Sequence, residues 1–300
     1  MARSELAQRL AAAAVGIPIA VAVLYTGGWI MAVALALIAA LGADEFYRLS
    51  RNKGIEPLAI PGIAGAGLLV FVAGFEPTLT GIAPWIWVIT IALLLVTASA
   101  AIFRRGVEGH PYGAVGATLT GAIFTGGTLV HAIFLRHLLD TGILPGVGGN
   151  WAGAALVGFA VVLTWINDSG AYFVGSAIGR HKLIPAVSPK KSVEGSIAGA
   201  SFAVVAGMLY GEFVLGNLVG LPFGIWEGAL GGLLLATGAQ IGDLAESLFK
   251  REAGVKDSGR LIPGHGGILD RFDALFYNLP IAYWYLVAVI WLRAGGVPWQ

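Results

Sequence analysis

The 300-residue sequence has no cysteine, few charged residues and only five histidines. Without cysteine the chain has no disulfide, no thiolate metal site and no cysteine nucleophile. The scarcity of histidine argues against a histidine-rich metal centre. Charged residues make up 12% of the chain, whereas a soluble domain has roughly 25%. The net charge of +1, with no basic tract interleaved with aromatics, argues against nucleic acid as a partner.

Apolar residues are abundant: the chain is 57% hydrophobic, with a mean hydropathy of +0.81. Runs of about 17–25 apolar residues, the length that crosses a bilayer, recur throughout the sequence. These runs predict an all-α, polytopic integral membrane protein with about nine transmembrane helices, and we expect the first helix to be retained. The predicted helices are 11–27, 29–47, 57–75, 84–103, 114–136, 152–178, 195–216, 225–250 and 270–293.

Basic residues are concentrated in alternate loops. The N-terminus and the loops 48–56, 104–113, 179–194 and 250–271 hold 16 of the 18 lysines and arginines. With nine helices these five segments lie on one side, which the positive-inside rule makes cytoplasmic. The prediction is therefore a cytoplasmic N-terminus and an outside C-terminus, with the chemistry on the cytoplasmic side.

The sequence predicts two parts with different roles, which meet near residue 150. We interpret residues 1–150 as about five N-terminal transmembrane helices. Residues 151–300 are interpreted as the catalytic helices, with the cytoplasmic loops 179–194 and 250–271. Glycines within the helices, such as Gly195 and Gly199, predict close helix–helix approach.

The first polar feature is Asn167–Asp168, inside a long apolar segment. An ionisable group at this depth costs roughly 3 kcal/mol. The pair either makes a polar helix–helix contact or forms a wall of a substrate cavity, and it also allows a kink in the helix.

The second feature is the motif S-P-K-K-S-V-E-G at residues 188–195. Lys190 and Lys191 are adjacent, and Ser188 adds a hydroxyl donor. Two lysines beside a membrane attract anionic lipid headgroups. The flanking serine, proline and glutamate are equally compatible with a phosphate-binding loop.

The third feature runs from Asp243 to Asp273. If 225–250 is one helix, four residues share a face through their i, i+3, i+4 and i+7 spacing: Asp243, Glu246, Ser247 and Lys250. Asp270 and Asp273 begin the next helix, again on one face. Two acidic clusters with cations between them suggest divalent metal ions held by carboxylates and bridged to phosphates. The alternative is a salt-bridged loop that caps two helix ends.

These residues resemble the signature of the phosphatidate cytidylyltransferases, also called CDP-diacylglycerol synthases. That signature reads S-x-x-K-R, then K-D, then P-G-H-G-G-x-x-D-R-x-D, and every element is present between Ser247 and Asp273. The family's G-D-L-x-E-S, S-P-K-K-[ST]-x-E-G and N-D-[ST]-x-A-Y-x-x-G motifs are matched at 242–247, 188–195 and 167–175. Together the motifs span about a third of the chain.

The resemblance implies that CTP and phosphatidic acid react to give CDP-diacylglycerol and pyrophosphate, for phospholipid biosynthesis. It associates Asp243 and Asp270 with a metal centre, which we expect to hold Mg²⁺ and to have room for a second ion. Glu246 and Asp273 are second candidates as metal ligands or as their supports. The residues expected to be catalytic are Asp243, Lys250, Asp270, Arg271 and Asp273. The residues expected to bind substrate are Asn167, Asp168, Ser188, Lys190, Lys191, Ser247, Arg251, Lys256 and His265. His265 either donates to a phosphate or holds its turn.

The expected setting is a bacterial inner membrane, with membrane lipids around the helices and, by the resemblance, a homodimer. Two other classes of protein are alternatives. A transporter would use Asp168, Asp243 and Glu246 as an ion relay, but these acids crowd one face. Another enzyme of lipid-linked phosphates, such as a CDP-alcohol phosphotransferase, usually carries D-G-x-x-A-R, which is absent.

Overall fold

A computed structural model of the chain describes residues 2–142, 144–261 and 266–294. The helices in these residues are α1 (Ala2–Thr26), α2 (Gly28–Arg51), α3 (Ala59–Phe71), α4 (Leu79–Arg104), α5 (Pro111–Ala122), α6 (Thr128–His137), α7 (Asn150–Ile178), α8 (Val193–Leu209), α9 (Ile225–Glu252) and α10 (Leu269–Ala294). Shorter helical turns, Val72–Gly74, Ile123–Gly127, Leu138–Thr141 and Tyr210–Leu218, extend or join four of them.

Within the described residues, six helical segments are long and apolar enough to cross a membrane. They are Gly28–Arg51, Leu79–Arg104, Pro111–Asp140, Asn150–Ile178, Val193–Leu218 and Leu269–Arg293. Two shorter apolar helices, Ala14–Thr26 and Ala59–Gly74, accompany them. The predicted class, a helical polytopic membrane protein, is confirmed. The number of nine crossings and the sides of the two termini remain predictions.

One element was not predicted. The 179–194 loop contains a β-hairpin of β1 (Lys182–Ile184) and β2 (Ser188–Ser192), paired antiparallel with Lys182 opposite Ser192. A two-stranded hairpin has edges only, so it tolerates Pro189 in β2. The hairpin gives the S-P-K-K-S motif an extended backbone.

The chain forms two compact units. The first contains residues 1–133 and 249–272, and the second contains residues 134–248 and 273–300. The predicted division at residue 150 does not coincide with these two units, and its assignment of function stays a prediction.

In the first unit α2 packs against α3 and α5. Tyr47 is buried on α2, and its hydroxyl donates to the Thr118 carbonyl oxygen at 2.7 Å. The Thr118 hydroxyl accepts from the Leu58 amide at 2.8 Å, so one α5 threonine ties the start of α3 into the same core. Phe46 on α2 meets the ring of Phe249, with ring centroids 5.5 Å apart, which anchors the last residues of α9 in this unit.

In the second unit α7 and α8 pack closely along their length. A Cβ added at Gly195 would lie 2.7 Å from the Ala171 carbonyl oxygen, and one at Gly199 would lie 2.6 Å from the Asn167 carbonyl oxygen. The predicted close approach at these glycines is confirmed. Despite its polar pair, α7 runs as one helix from Asn150 to Ile178.

Candidate active site

Six polar residues of the second unit, carried by α7, β2 and α9, form the group that we call the Asp243 cluster. They are Asn167, Asp168, Lys191, Gln240, Asp243 and Ser247. At its centre the Lys191 Nζ lies 2.6 Å from the Asp243 Oδ2, and the two side chains are 24% and 36% exposed. The Ser247 hydroxyl donates to the Asp243 Oδ1 at 3.2 Å. The predicted helical face, with Asp243 and Ser247 four residues apart, is therefore present.

The amide side chains of the Asp243 cluster join three helices. The Gln240 Nε2 donates to the Asn167 Oδ1 at 3.2 Å and to the Ser196 carbonyl oxygen at 3.0 Å. The Asn167 Nδ2 in turn donates to the Asp168 Oδ1 at 3.0 Å. Asn167 is only 1% exposed, and these bonds satisfy polar atoms that would be costly to bury alone. The polar pair on α7 is thus both a helix–helix contact and part of a polar cluster.

The two adjacent lysines of β2 have different surroundings. Successive side chains of a strand point to opposite faces, so Lys191 reaches Asp243 while Lys190 is exposed. The end of β2 is held by the start of α8. There the Ser192 hydroxyl accepts from the Gly195 amide at 3.2 Å. Glu194 accepts from the backbone amides of Arg180 and His181.

A second group, in the first unit, consists of Glu45, Lys250, Ser258, Gly267 and Asp270, and we call it the Asp270 cluster. The Lys250 Nζ lies 2.7 Å from the Asp270 Oδ1. The Asp270 Oδ2 accepts from the Ser258 amide at 2.9 Å and from the Gly267 amide at 2.8 Å, and it lies 2.9 Å from the Ser258 hydroxyl. The lysine of S-x-x-K-R and the first aspartate of D-R-x-D are therefore in contact.

The two carboxylates differ in their capacity to hold a metal ion. A carboxylate oxygen offers about two lone-pair positions. The Asp270 Oδ2 already accepts two backbone hydrogen bonds and lies beside the Ser258 hydroxyl, so any metal contact must use its Oδ1, beside Lys250. In Asp243, the Oδ1 accepts the hydrogen bond from Ser247 and the Oδ2 contacts Lys191, and the side chain is partly exposed. Asp243 therefore fits a metal ligand better than Asp270.

No group of three or more histidine, aspartate or glutamate side chains within the described ranges is arranged to hold a metal ion by itself. Mg²⁺ commonly uses one or two protein carboxylates and completes its coordination with phosphate oxygens and water. The observed residues fit an ion of that kind, shared with a phosphate substrate.

The other predicted site residues lie at varied depths. Lys190, Arg251, Lys256 and Arg271 are exposed, which suits contact with a soluble anion. Glu246 is 1% exposed and Ser247 is 7% exposed, while Ser188 and Asp273 are half-buried. The Asp273 Oδ1 accepts from the Ala274 amide at 2.7 Å. His265 lies outside the described residues.

Sequence reasoning missed Glu45 and Ser258. Glu45 lies near the end of an apolar helix in the run D-E-F-Y-R, where charged residues are ordinary and no spacing distinguishes one of them. Ser258 follows the K-D step and resembles any loop serine. Only the folded chain brings the two side chains to within 3.0 Å of each other.

Proteins with similar sequences show the family of this chain. The profile of the Cytidylyltransferase family matches residues 7–289. The phosphatidate cytidylyltransferase of Synechocystis sp. is 35% identical over 296 residues, which cover 94% of this chain and 97% of the relative. The phosphatidate cytidylyltransferase of Bacillus subtilis is 34% identical over 255 residues, covering 83% of this chain and 87% of the relative. That of Staphylococcus epidermidis is 31% identical, with 86% and 90% covered.

Proposed function

This chain belongs to the cytidylyltransferase family, and we propose that it transfers the cytidylyl group of CTP to phosphatidic acid. The products are CDP-diacylglycerol and pyrophosphate, and the former supplies phospholipid biosynthesis. The relatives named above carry this activity in their names and match most of this chain. The observation that carries the proposal is that two motif aspartates, Asp243 and Asp270, each contact a motif lysine.

The chemistry is a substitution at phosphorus. An oxygen of the lipid phosphate attacks the α-phosphorus of CTP, the bond from that phosphorus to the bridging oxygen breaks, and pyrophosphate leaves with the electron pair. No protein nucleophile is required. The protein must bring two polyanions together, align the attacking and leaving oxygens, and stabilise the charge that develops on pyrophosphate.

In the Asp243 cluster we assign Lys191 to a phosphate group and Asp243 to a divalent cation. Lys191 is fixed by β2 and by its contact with Asp243, so its ammonium is oriented before a phosphate arrives. An ammonium held in this way binds a phosphate without the cost of ordering a free side chain. Lys190, on the other face of β2, is assigned to the membrane surface or to an outer phosphate.

In the Asp270 cluster we assign Lys250 the role of neutralising phosphate charge. Asp270 is assigned the role of orienting the Lys250 side chain. The Lys250 side chain is 12% exposed and that of Asp270 is 6% exposed, so their interaction is weakly screened by water. The exposed Arg251, Lys256 and Arg271 add positive charge that attracts CTP. Arg271 is proposed to contact a phosphate as the substrate binds.

A bound Mg²⁺ would neutralise phosphate charge. Asp243 is the first candidate to hold it, and the Oδ1 of Asp270 is the second. Glu246 is proposed to support these ligands rather than to bind the ion, because its side chain is buried. Asp273 stays a second candidate, as a ligand or as a support. A homodimer and a bacterial inner-membrane location with a cytoplasmic site belong to the same proposal.

The test is an assay of the purified protein in phospholipid nanodiscs with CTP labelled at either the α- or the γ-phosphate. We expect the α-label to enter lipid, and pyrophosphate to appear, only when phosphatidic acid is present. Transfer of the γ-phosphate to lipid would overturn the proposal. So would uptake of an ion without nucleotide turnover.

Two substitutions test the carboxylates. Asp243→Asn and Asp270→Asn should each lower kcat/KM at limiting Mg²⁺ by about 100-fold or more, as expected when a charged ligand or its support is lost. Asp44→Asn is the matched control, because Asp44 is a half-buried carboxylate whose partner is Arg48 on the same helix. A near-normal rate in a folded Asp243→Asn protein would contradict the metal assignment.

A further inference from the structure

Glu45 is a carboxylate with an unusual position for a transmembrane helix. It is 4% exposed and lies on α2, one of the segments apolar enough to cross a membrane. A buried carboxylate in such a helix is costly unless hydrogen bonds compensate it, and residues of this kind mark functional sites by default. The motifs that identify the family do not include it.

The hydrogen bonds of Glu45 go to the loop that carries the site. Its Oε2 accepts from the Ser258 hydroxyl at 3.0 Å and from the Leu269 amide at 2.9 Å. Leu269 is the first residue of α10, so Glu45 satisfies an amide that the helix itself leaves unbonded. A carboxylate at a helix N-terminus also interacts favourably with the helix dipole.

The glycines beside Glu45 show how closely it is enclosed. A Cβ at Gly259 would overlap the Glu45 Oε1, and a Cβ at Gly267 would overlap both the Glu45 Oε2 and the Ser258 hydroxyl. A side chain at the last glycine of P-G-H-G-G would therefore displace the Glu45 carboxylate or the Ser258 hydroxyl. This contact links an α2 residue outside the family motifs to the most specific motif of the sequence.

The Ser258 hydroxyl connects Glu45 to the site aspartate. It lies 3.0 Å from the Glu45 Oε2 and 2.9 Å from the Asp270 Oδ2, while Asp270 contacts Lys250 on its other oxygen. The chain of contacts thus runs from Glu45 through Ser258 and Asp270 to Lys250. The Ser258 hydroxyl has one proton and donates to one carboxylate at a time, and the Ser258 amide holds Asp270 in either case.

We propose that Glu45 is a positioning residue for the nucleotidyl transfer, acting through Ser258 and the Leu269 amide to orient the Asp270 carboxylate and its partner Lys250. Because the proposal rests on the proposed function, its test includes a measurement that requires no turnover.

The substitution is Glu45→Ala, and Asp44→Ala is its control. Asp44 is the adjacent residue on α2 and bonds Arg48 on the same helix. We expect Glu45→Ala to lower kcat/KM about 10- to 100-fold, the usual effect of removing a residue that orients a ligand. Glu45→Gln should lose less, since an amide oxygen at the Oε2 position still accepts both hydrogen bonds, although it lacks the negative charge. Asp44→Ala should stay within about twofold of the parent.

A double-mutant cycle separates positioning from general destabilisation. If Glu45 acts through Ser258, the two losses should not add. The rate of the double variant Glu45→Ala/Ser258→Ala should then lie within about twofold of the rate of the slower single variant. Losses that multiply would overturn the proposal. If Glu45→Ala does not fold, Glu45→Gln and Ser258→Ala decide the question, and normal rates in both would overturn it.

Hydrogen exchange provides the measurement without turnover. In the full-length protein, Glu45→Ala should speed exchange of the Leu269 amide about tenfold, because that amide loses its acceptor. Asp44→Ala should leave it unchanged. Unchanged exchange in Glu45→Ala would overturn the positioning role. A parent protein that shows the expected exchange but does not release pyrophosphate would instead refute the proposed function.

Discussion

Replacing Lys191 by alanine is expected to impair catalysis far more than replacing Lys190. The two lysines are adjacent in sequence and equal in charge, and they occupy opposite faces of β2. Lys191 lies 2.6 Å from Asp243, whereas Lys190 is exposed. The pair is thus a matched comparison of a lysine inside the Asp243 cluster with one outside it.

The magnitude follows from the burial of the contact. The Lys191 side chain is 24% exposed, so its ammonium meets a phosphate in partly desolvated surroundings. A hydrogen bond to a charged group under such conditions contributes about 1.5–3 kcal/mol, which corresponds to a loss of about 10- to 150-fold in kcat/KM. An exposed lysine attracts a polyanion through a screened interaction, so Lys190→Ala should lose about fivefold or less at physiological salt.

The assay is pyrophosphate release from CTP at varied phosphatidic acid, with thermal unfolding as the control. The Lys191–Asp243 pair is partly exposed, so its loss should change the free energy of unfolding by about 1 kcal/mol or less. A large fall in kcat/KM with little change in Tm is the expected result for Lys191→Ala. Equal effects of the two substitutions, or a Lys191→Ala protein within twofold of the parent, would refute the reasoning.

Two further substitutions, Gly199→Ala and Thr164→Val, test the packing of the second unit, and Gly116→Ala in the first unit is the control for Gly199→Ala. Gly199→Ala should lower Tm by several degrees, because the added Cβ would lie 2.6 Å from the Asn167 carbonyl oxygen. Gly116→Ala, where an added Cβ meets no atom within 4 Å, should leave Tm unchanged or raise it, and equal shifts would contradict the close-packing argument. Thr164→Val should destabilise the protein by about 1–3 kcal/mol, because the buried Asn278 Nδ2 loses its 2.6 Å hydrogen bond to the threonine hydroxyl. Unfolding in denaturant measures this loss, and a change under about 0.5 kcal/mol would show that the buried amide finds another partner.

The sequence predicts much of the helical architecture, because apolar runs of membrane length have few alternatives in a bilayer. Each of the nine predicted segments overlaps a helix of the described residues. The hairpin at 182–192 was not predicted, since short strands of Lys, Ser and Pro carry no alternating apolar pattern. The loop after α9 begins at Ala253 rather than at Lys250, because the helix continues through its charged last turn.

The sequence likewise predicts only part of the candidate site. Motif spacing placed Asp243 and Ser247 on one face of a helix, and the contact between them confirms it. Spacing did not indicate which lysine meets which aspartate, because that depends on β2 and on the loop before α10. The pairs Lys191–Asp243 and Lys250–Asp270 appear only in the folded chain.

The sequence alone therefore determined the class of protein and the residue types of its chemistry, through hydropathy, charge asymmetry and motif spacing, which are properties local to the chain. The tertiary structure decided which hydrogen bonds each aspartate accepts, which of two adjacent lysines contacts Asp243, and that Glu45 contacts the loop before α10. Glu45 and Ser258 are 213 residues apart in sequence. A contact over that separation depends on helix packing and on two glycines without a Cβ, and no local pattern records it.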